Sequence, residues 1–262
     1  MRILRCVRKN RITQQFMEDE TCTKLDSNGR PIKPYITMGK VAGACLPGFM
    51  SLYEALGAPG HLGVDLAEDY GKGIFFDIDA GPEIEWEMIN ISSMAGGYGV
   101  LIRSIQPVPL DMAPRMPEAQ FKMVKQQYDE LGGKVHLMRY FGHMQKRSHL
   151  KDSARVKTGD LVGLVGTSGA STGPHVHRHL LVCNPADKGP FFYIDGDSLY
   201  KGRVDESKWF ENTFVLDAMK GTPAGEDTEH TEEEINTLQL SLIGALNSVI
   251  RLYEALILLK QK

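Results

Sequence analysis

Cysteine, long apolar runs and net charge are all scarce in this chain of 262 residues. The four cysteines, Cys6, Cys22, Cys45 and Cys183, form no C-x-x-C pair. That spacing excludes the usual thiolate zinc site. Their even number leaves both disulfides and buried free thiols open. No run of 18 uninterrupted apolar residues occurs. Leu238 to Leu259 comes nearest, but Gln239, Asn247, Arg251 and Glu254 interrupt it, so a membrane span is not favoured. The basic start, Met1 to Arg11, leads into no apolar segment, so no secretory signal is expected. A formal charge of -3 gives no broad attraction for nucleic acid, and no nucleic-acid partner is expected. The glycine-rich turn Thr167 to Gly173 lacks the G-K-[ST] of a phosphate loop. Gly166 to Ala170 falls short of a nucleophile elbow, because Ala170 stands where glycine is needed.

What is present is ordinary in bulk. Apolar residues make up 42% and charged residues 24%, enough for a globular protein with a sizeable core. From Gly73 to Ile105 short apolar runs alternate with turn residues, notably Ala80-Gly81-Pro82 and Gly96-Gly97. That pattern predicts an antiparallel meander. It resumes at Val135 to Met144, with Val135, Leu137, Arg139 and Phe141 on one face and His136, Met138 and Tyr140 on the other. The expected fold is therefore mainly β (α+β), built on a twisted antiparallel sheet.

Two stretches lie outside that pattern. Residues 17–60 are rich in turn formers and read as irregular structure over the core. Residues 107–133 read as a helical insertion, opened at Pro117 and ended at Gly132-Gly133. The domain spans 1–219, and 220–229 has the composition of a linker. Residues 230–262 read as a C-terminal helix. Thr231 and Glu234 form a capping box. Ile235, Leu238, Leu242, Ala245, Val249, Leu252, Leu256 and Leu259 then follow an unbroken heptad pattern. So apolar a helix must cover itself, which predicts a homo-oligomer, docking on the body or an interfacial position.

The histidines carry the chemistry. His136, His149 and His230 have no partner in the pattern and read as structural or surface residues. His61-x-x-x-Asp65 joins an imidazole and a carboxylate near a turn. His143 ends a strand. His175, His177 and His179 alternate along one strand and would share a face. Neutral imidazoles and a carboxylate are ligands that suit zinc.

These residues resemble the lysostaphin-type zinc endopeptidases of the bacterial cell wall. The resemblance covers roughly residues 11–183. It rests on Ile12-Thr13-Gln14-Gln15-Phe16, on H-x-G-x-D at His61 to Asp65, and on Tyr140-Phe141-Gly142-His143. Its longest part is Val156 to His177, ending in Ser171-Thr172-Gly173-Pro174-His175-Val176-His177.

The resemblance implies a lysostaphin or duplicated-hybrid-motif fold and one Zn2+ per chain. It implies that His61, Asp65 and His177 bind the metal and leave a fourth position for water. His143 and His175 would then serve as general base and oxyanion stabiliser, in an order the sequence does not assign. The chain departs from the family at Arg178 and His179, where an aromatic residue and a glutamate usually stand. His179 then either orients a ligand from behind or forms the ligating pair with His177. The Thr-Gly-Pro anchor favours the first register.

The implied substrate is peptidoglycan peptide, in cross-bridge or stem. With no secretory signal expected and a helix appended, a phage lysin or virion tail component acting on the bacterial wall is the expected setting. The competing class is a non-catalytic wall-binding or virion protein on the same fold, oligomerised by residues 230–262.

Overall fold

Alternation of apolar and polar residues builds the central sheet. The computed structural model describes residues 1–9, 11–109, 125, 127–183, 203–207 and 209–220. An eight-stranded sheet runs in the order Ala154–Val156, Trp86–Ser93, Gly97–Ser104, Leu137–Met144, His175–Val182, Val64–Ala67 and Ile12–Gln14. Arg203–Val204 pairs alongside His175–Val182. Every pairing in this sheet is antiparallel. Of the meander expected over 73–105, only the hairpin of Trp86–Ser93 and Gly97–Ser104 is present, in register from Gly97↔Ser93 to Ser104↔Trp86, while Gly73–Phe75 pairs with Leu161–Leu164 and Ile78–Asp79 with Arg2–Arg5.

One face of the sheet closes the core. Val176, Leu180 and Val182 of the histidine strand lie there with Leu137 and Phe141 of its neighbour. They pack with Ile3, Ile74, Phe76, Trp86, Val162 and Trp209. Period-two geometry then sends His175, His177 and His179 to the opposite face. Met138, Tyr140, Leu101 and Leu181 form a smaller apolar cluster.

The core also holds four charges. Asp77 accepts from Arg139 at 2.9 Å and from Arg178 at 2.6 Å. Glu206 pairs with Arg178 at 2.7 Å and with Arg139. All four side chains are essentially unexposed. Arg178 also donates to the Leu4 carbonyl at 2.7 Å. Two positive and two negative groups cancel, which is what burial of charge requires. Burial pushes the Glu206 carboxyl up, but Arg139 and Arg178 outweigh it and hold it below its usual range. This network explains how a guanidinium occupies position 178, where the resemblance leads one to expect an aromatic ring.

Three findings correct or add to the sequence reading. Residues 17–60 are not wholly irregular. Thr21–Lys24 is the centre of a three-stranded antiparallel sheet with Thr37–Gly39 and Phe49–Ser51, followed by a short helix at Leu52–Ala55. Cys22 and Cys45 form a disulfide across this region, while Cys6 and Cys183 are free and buried. Finally, Arg2–Arg5 is itself a strand. It pairs antiparallel with Ile78–Asp79 and parallel with Phe210–Phe214, so antiparallel pairing is dominant but not universal.

The insertion leaves the body through the two-stranded pairing of Val108–Pro109 with Lys134–Val135. Residues 127–130 are helical, and Gly132 and Gly133 follow at φ 63° and 85°. The expected helix opening at Pro117, and the linker and helix at 220–262 apart from Lys220, lie outside the described residues. Among the described residues, no helix is long and apolar enough to cross a membrane.

Candidate metal centre

Strand pairing brings the predicted ligands together. In the antiparallel register of Val64–Ala67 and His175–Val182, Asp65 lies directly opposite His177. His61 precedes that strand and is tied to the 17–60 region by backbone. Its N–H donates to Glu18 at 2.8 Å and its carbonyl accepts from Met17 at 2.6 Å.

Three donor atoms converge. His61 Nε2 is 2.7 Å from His177 Nδ1, His177 Nδ1 is 2.9 Å from Asp65 Oδ1, and His61 Nε2 is 3.1 Å from Asp65 Oδ1. A tetrahedral site with zinc bonds of about 2.05 Å has ligand–ligand edges of about 3.3 Å. The triangle fits such an ion with small outward shifts. Among the described residues, His61, Asp65 and His177 are the group of acidic and imidazole side chains able to hold a metal ion.

The remaining contacts fix the ring orientations. The His61 Nδ1–H donates to the Gln15 carbonyl at 3.1 Å, which leaves Nε2 with a lone pair. His177 presents Nδ1 to the triangle and turns Nε2 toward His179 Nδ1, 3.1 Å away. Burial pushes the His177 imidazole down to about 4, against the pull of Asp65. Burial would raise the Asp65 carboxyl, but His61, His175 and His177 overcome it and hold it well below the usual carboxylate range. His177 and Asp65 therefore keep the protonation states a metal needs.

Gly63 explains the middle of H-x-G-x-D. A Cβ there would meet the Arg178 carbonyl oxygen at 2.4 Å and the His177 ring at 2.7 Å. Only a residue without a side chain lets the loop approach the ligand strand this closely.

His143 and His175 flank the triangle, with ring centres 4.6 Å apart. Strict alternation would send His143 into the core with Leu137, Arg139 and Phe141. Instead it sits at φ 56°, a left-handed conformation that re-aims its ring toward the metal side. Its Nδ1–H donates to the Ser168 carbonyl at 2.7 Å, so Nε2 is unprotonated. Burial, then His175 and His177, push this imidazole down to about 3. The His175 Nδ1–H donates to the Gly173 carbonyl at 2.8 Å, and its Nε2 lies 3.4 Å from Asp65 Oδ2. His179 is buried and stacks on Tyr140, with centroids 4.5 Å apart and planes 26° apart. Burial, helped by Arg203, holds His179 well below the ordinary imidazole value.

A groove of about 500 Å³ opens over these groups. Thr21, Gly39 and Tyr53 of the 17–60 region line one side, and the turns at Ala95-Gly96 and Ala170-Ser171 another. Tyr53 was not singled out by the sequence. Its ring lies 5.7 Å from His61, and its hydroxyl donates to Gln14 Oε1 at 2.8 Å. The orienting carbonyls of Gln15, Ser168 and Gly173 were equally invisible there, since any residue type supplies a carbonyl. His136 lies buried outside the triangle, His149 lies in a loop away from the groove, and His230 is outside the described residues.

Comparison with known proteins bears on this arrangement. Residues 124–187 match the model of Peptidase family M23, so the lysostaphin-type resemblance stands. The matched stretch includes His143, His175, His177 and His179, whereas His61 and Asp65 lie outside it. The structure is similar to a zinc-containing peptidase from Vibrio cholerae, with 17% identity and a TM-score of 0.36 over 70% of this chain and 37% of that one. It is similar to the catalytic domain of the antimicrobial peptidase lysostaphin from Staphylococcus simulans, with 17% identity and a TM-score of 0.34 over 58% of this chain and 79% of that one. It is also similar to the catalytic domain of EnpA, a prophage-encoded M23 protein from Enterococcus faecalis. There the identity is 24% and the TM-score 0.31, over 57% of this chain and 80% of that one. The chain thus spans little more than a third of the Vibrio peptidase. No curated protein matches it.

Proposed function

We propose that this chain, a peptidase of family M23 by the pattern in residues 124–187, is a zinc-dependent endopeptidase that cleaves peptide bonds in bacterial peptidoglycan. The triangle of His61 Nε2, Asp65 Oδ1 and His177 Nδ1 carries the reading. Zinc held by these three atoms supplies an acidic centre for water and for the scissile carbonyl.

The other histidines do the proton work. His143 Nε2 is bare because Nδ1–H is committed to Ser168, so it can take a proton from an attacking water. Burial and the bond to the Ser168 carbonyl hold the ring without a rotamer search. His175 Nδ1–H is committed to Gly173, so its Nε2 donates toward a developing oxyanion when the ring carries a second proton as imidazolium. Tyr53 and the turn at Ala170-Ser171 line the groove that a peptide would occupy.

The bond cleaved lies in the cross-bridge or the stem peptide. A phage lysin or virion tail protein acting at the wall is the setting proposed, with residues 230–262 as an oligomerising helix.

The purified protein should contain one zinc per chain by elemental analysis and release soluble peptides from purified peptidoglycan. A chelator should stop release, and added zinc should restore it. Stoichiometric binding to peptidoglycan without release would identify a non-catalytic wall-binding protein instead. Absence of bound metal would contradict the proposal outright.

A further inference from the structure

The H-x-H pair is extended here by a third alternate histidine, and the geometry gives it a task. His177 cannot present one nitrogen to both neighbours. Nδ1 faces His61 and Asp65, at 2.7 and 2.9 Å, and Nε2 points away toward His179. A neutral imidazole that ligates through Nδ1 carries its proton on Nε2. That N–H needs an acceptor, and His179 Nδ1 lies 3.1 Å away. His179 Nδ1 stands on the far side of the His177 ring from the triangle, so it is not placed as a fourth ligand.

The acceptor is itself held. His179 pairs across the sheet with Tyr140, and the two rings stack at 4.5 Å. Tyr140 is buried, and Gly96 and Gly142 leave room for its hydroxyl, since a Cβ on either would approach that oxygen to 2.0 and 2.4 Å. Small residues, one stacked platform and one acceptor thus form a chain ending at the ligand ring.

We propose that His179 is a positioning residue. It accepts the Nε2–H of His177, fixes that ring's tautomer and rotation, and so tunes the metal site without touching the metal. The inference rests on His61, Asp65 and His177 being the zinc ligands.

Zinc affinity, measured by competition with a chromogenic chelator, tests it in the full chain. His179→Ala should weaken zinc binding about 10- to 100-fold, as loss of such an outer partner does. His179→Gln, whose amide oxygen can accept the same N–H, should recover most of that loss. In the zinc-loaded wild type, long-range 1H–15N spectra should show His177 protonated at Nε2, with the proton moving upfield in His179→Ala. An affinity within about threefold of wild type in His179→Ala overturns the proposal. A loss as complete as that in His61→Ala also overturns it, because His179 would then be a ligand. Should His179→Ala fail to fold, the wild-type spectrum decides, and a proton on His177 Nδ1 overturns the proposal. Wild-type protein that binds no zinc removes the underlying reading. Zinc-binding wild type with an indifferent His179→Ala removes only the positioning role.

Discussion

At Gly63 the backbone passes so close to the His177 ring that one added carbon decides the site's geometry. Gly63→Ala should displace His177 or the His61 loop, and a displacement near 1 Å costs on the order of 100-fold in kcat/KM. Retained folding by circular dichroism with that loss supports the assignment; full activity would remove it. The two depressed imidazoles make a second prediction. His143 titrates at about 3 and His177 at about 4 in the folded metal-free chain, while unfolded histidine titrates near 6.5. Below that value the unfolded state binds more protons than the folded one, so stability falls as pH drops from about 6.5 toward 4. The midpoint of thermal unfolding in chelator should be lower at pH 5 than at pH 7. His143→Gln should flatten this dependence; an unchanged slope would mean that His143 contributes nothing to it. The three residues that converge were legible from H-x-G-x-D and T-G-P-H-x-H. The orientation of His143 was not, because period-two reasoning has no term for a single left-handed residue at φ 56°.

Whole strands were read well where alternation was long and poorly where it was short. Trp86–Ser93, Gly97–Ser104, Leu137–Met144 and His175–Val182 each run eight residues, enough to show two faces. Thr21–Lys24, Thr37–Gly39 and Phe49–Ser51 run three or four, too few for a period to show among their turn formers. Yet this small sheet lines the groove, and the Cys22–Cys45 bridge closes it over a separation of 23 residues. Chain entropy assigns such a loop roughly 3 kcal/mol. Cys45→Ser should lower the unfolding midpoint and raise KM more than it lowers kcat, with zinc still at one per chain. Loss of zinc instead would show that the bridge supports His61 and not merely the groove wall. On the other side of the sheet, the pairs among Asp77, Arg139, Arg178 and Glu206 join residues 28 to 101 positions apart, and no local pattern announces them. Arg139→Ala should destabilise by about 3–5 kcal/mol, since it strands buried carboxylates. A change under 1 kcal/mol in urea unfolding would contradict the network's role.

For the molecule as a whole, the sheet separates two jobs. Its core face carries the apolar layer and the neutralised charge cluster, and its other face carries His143, His175, His177, His179 and Asp65 beside a groove, with His61 joining them from the segment before Val64–Ala67. Residues 230–262 are proposed to add self-association. Sedimentation should show a multimer for the full chain and a monomer for a chain ending at residue 229; equal monomeric masses would remove that proposal. The central claim is peptide-bond hydrolysis at the zinc triangle. Its most direct test is mass spectrometry of purified peptidoglycan incubated with the zinc-loaded protein. The account predicts new amino termini in the released fragments with wild type and none with His61→Ala. Intact peptides from a wild type that holds its zinc, or equal cleavage by both proteins, would contradict it.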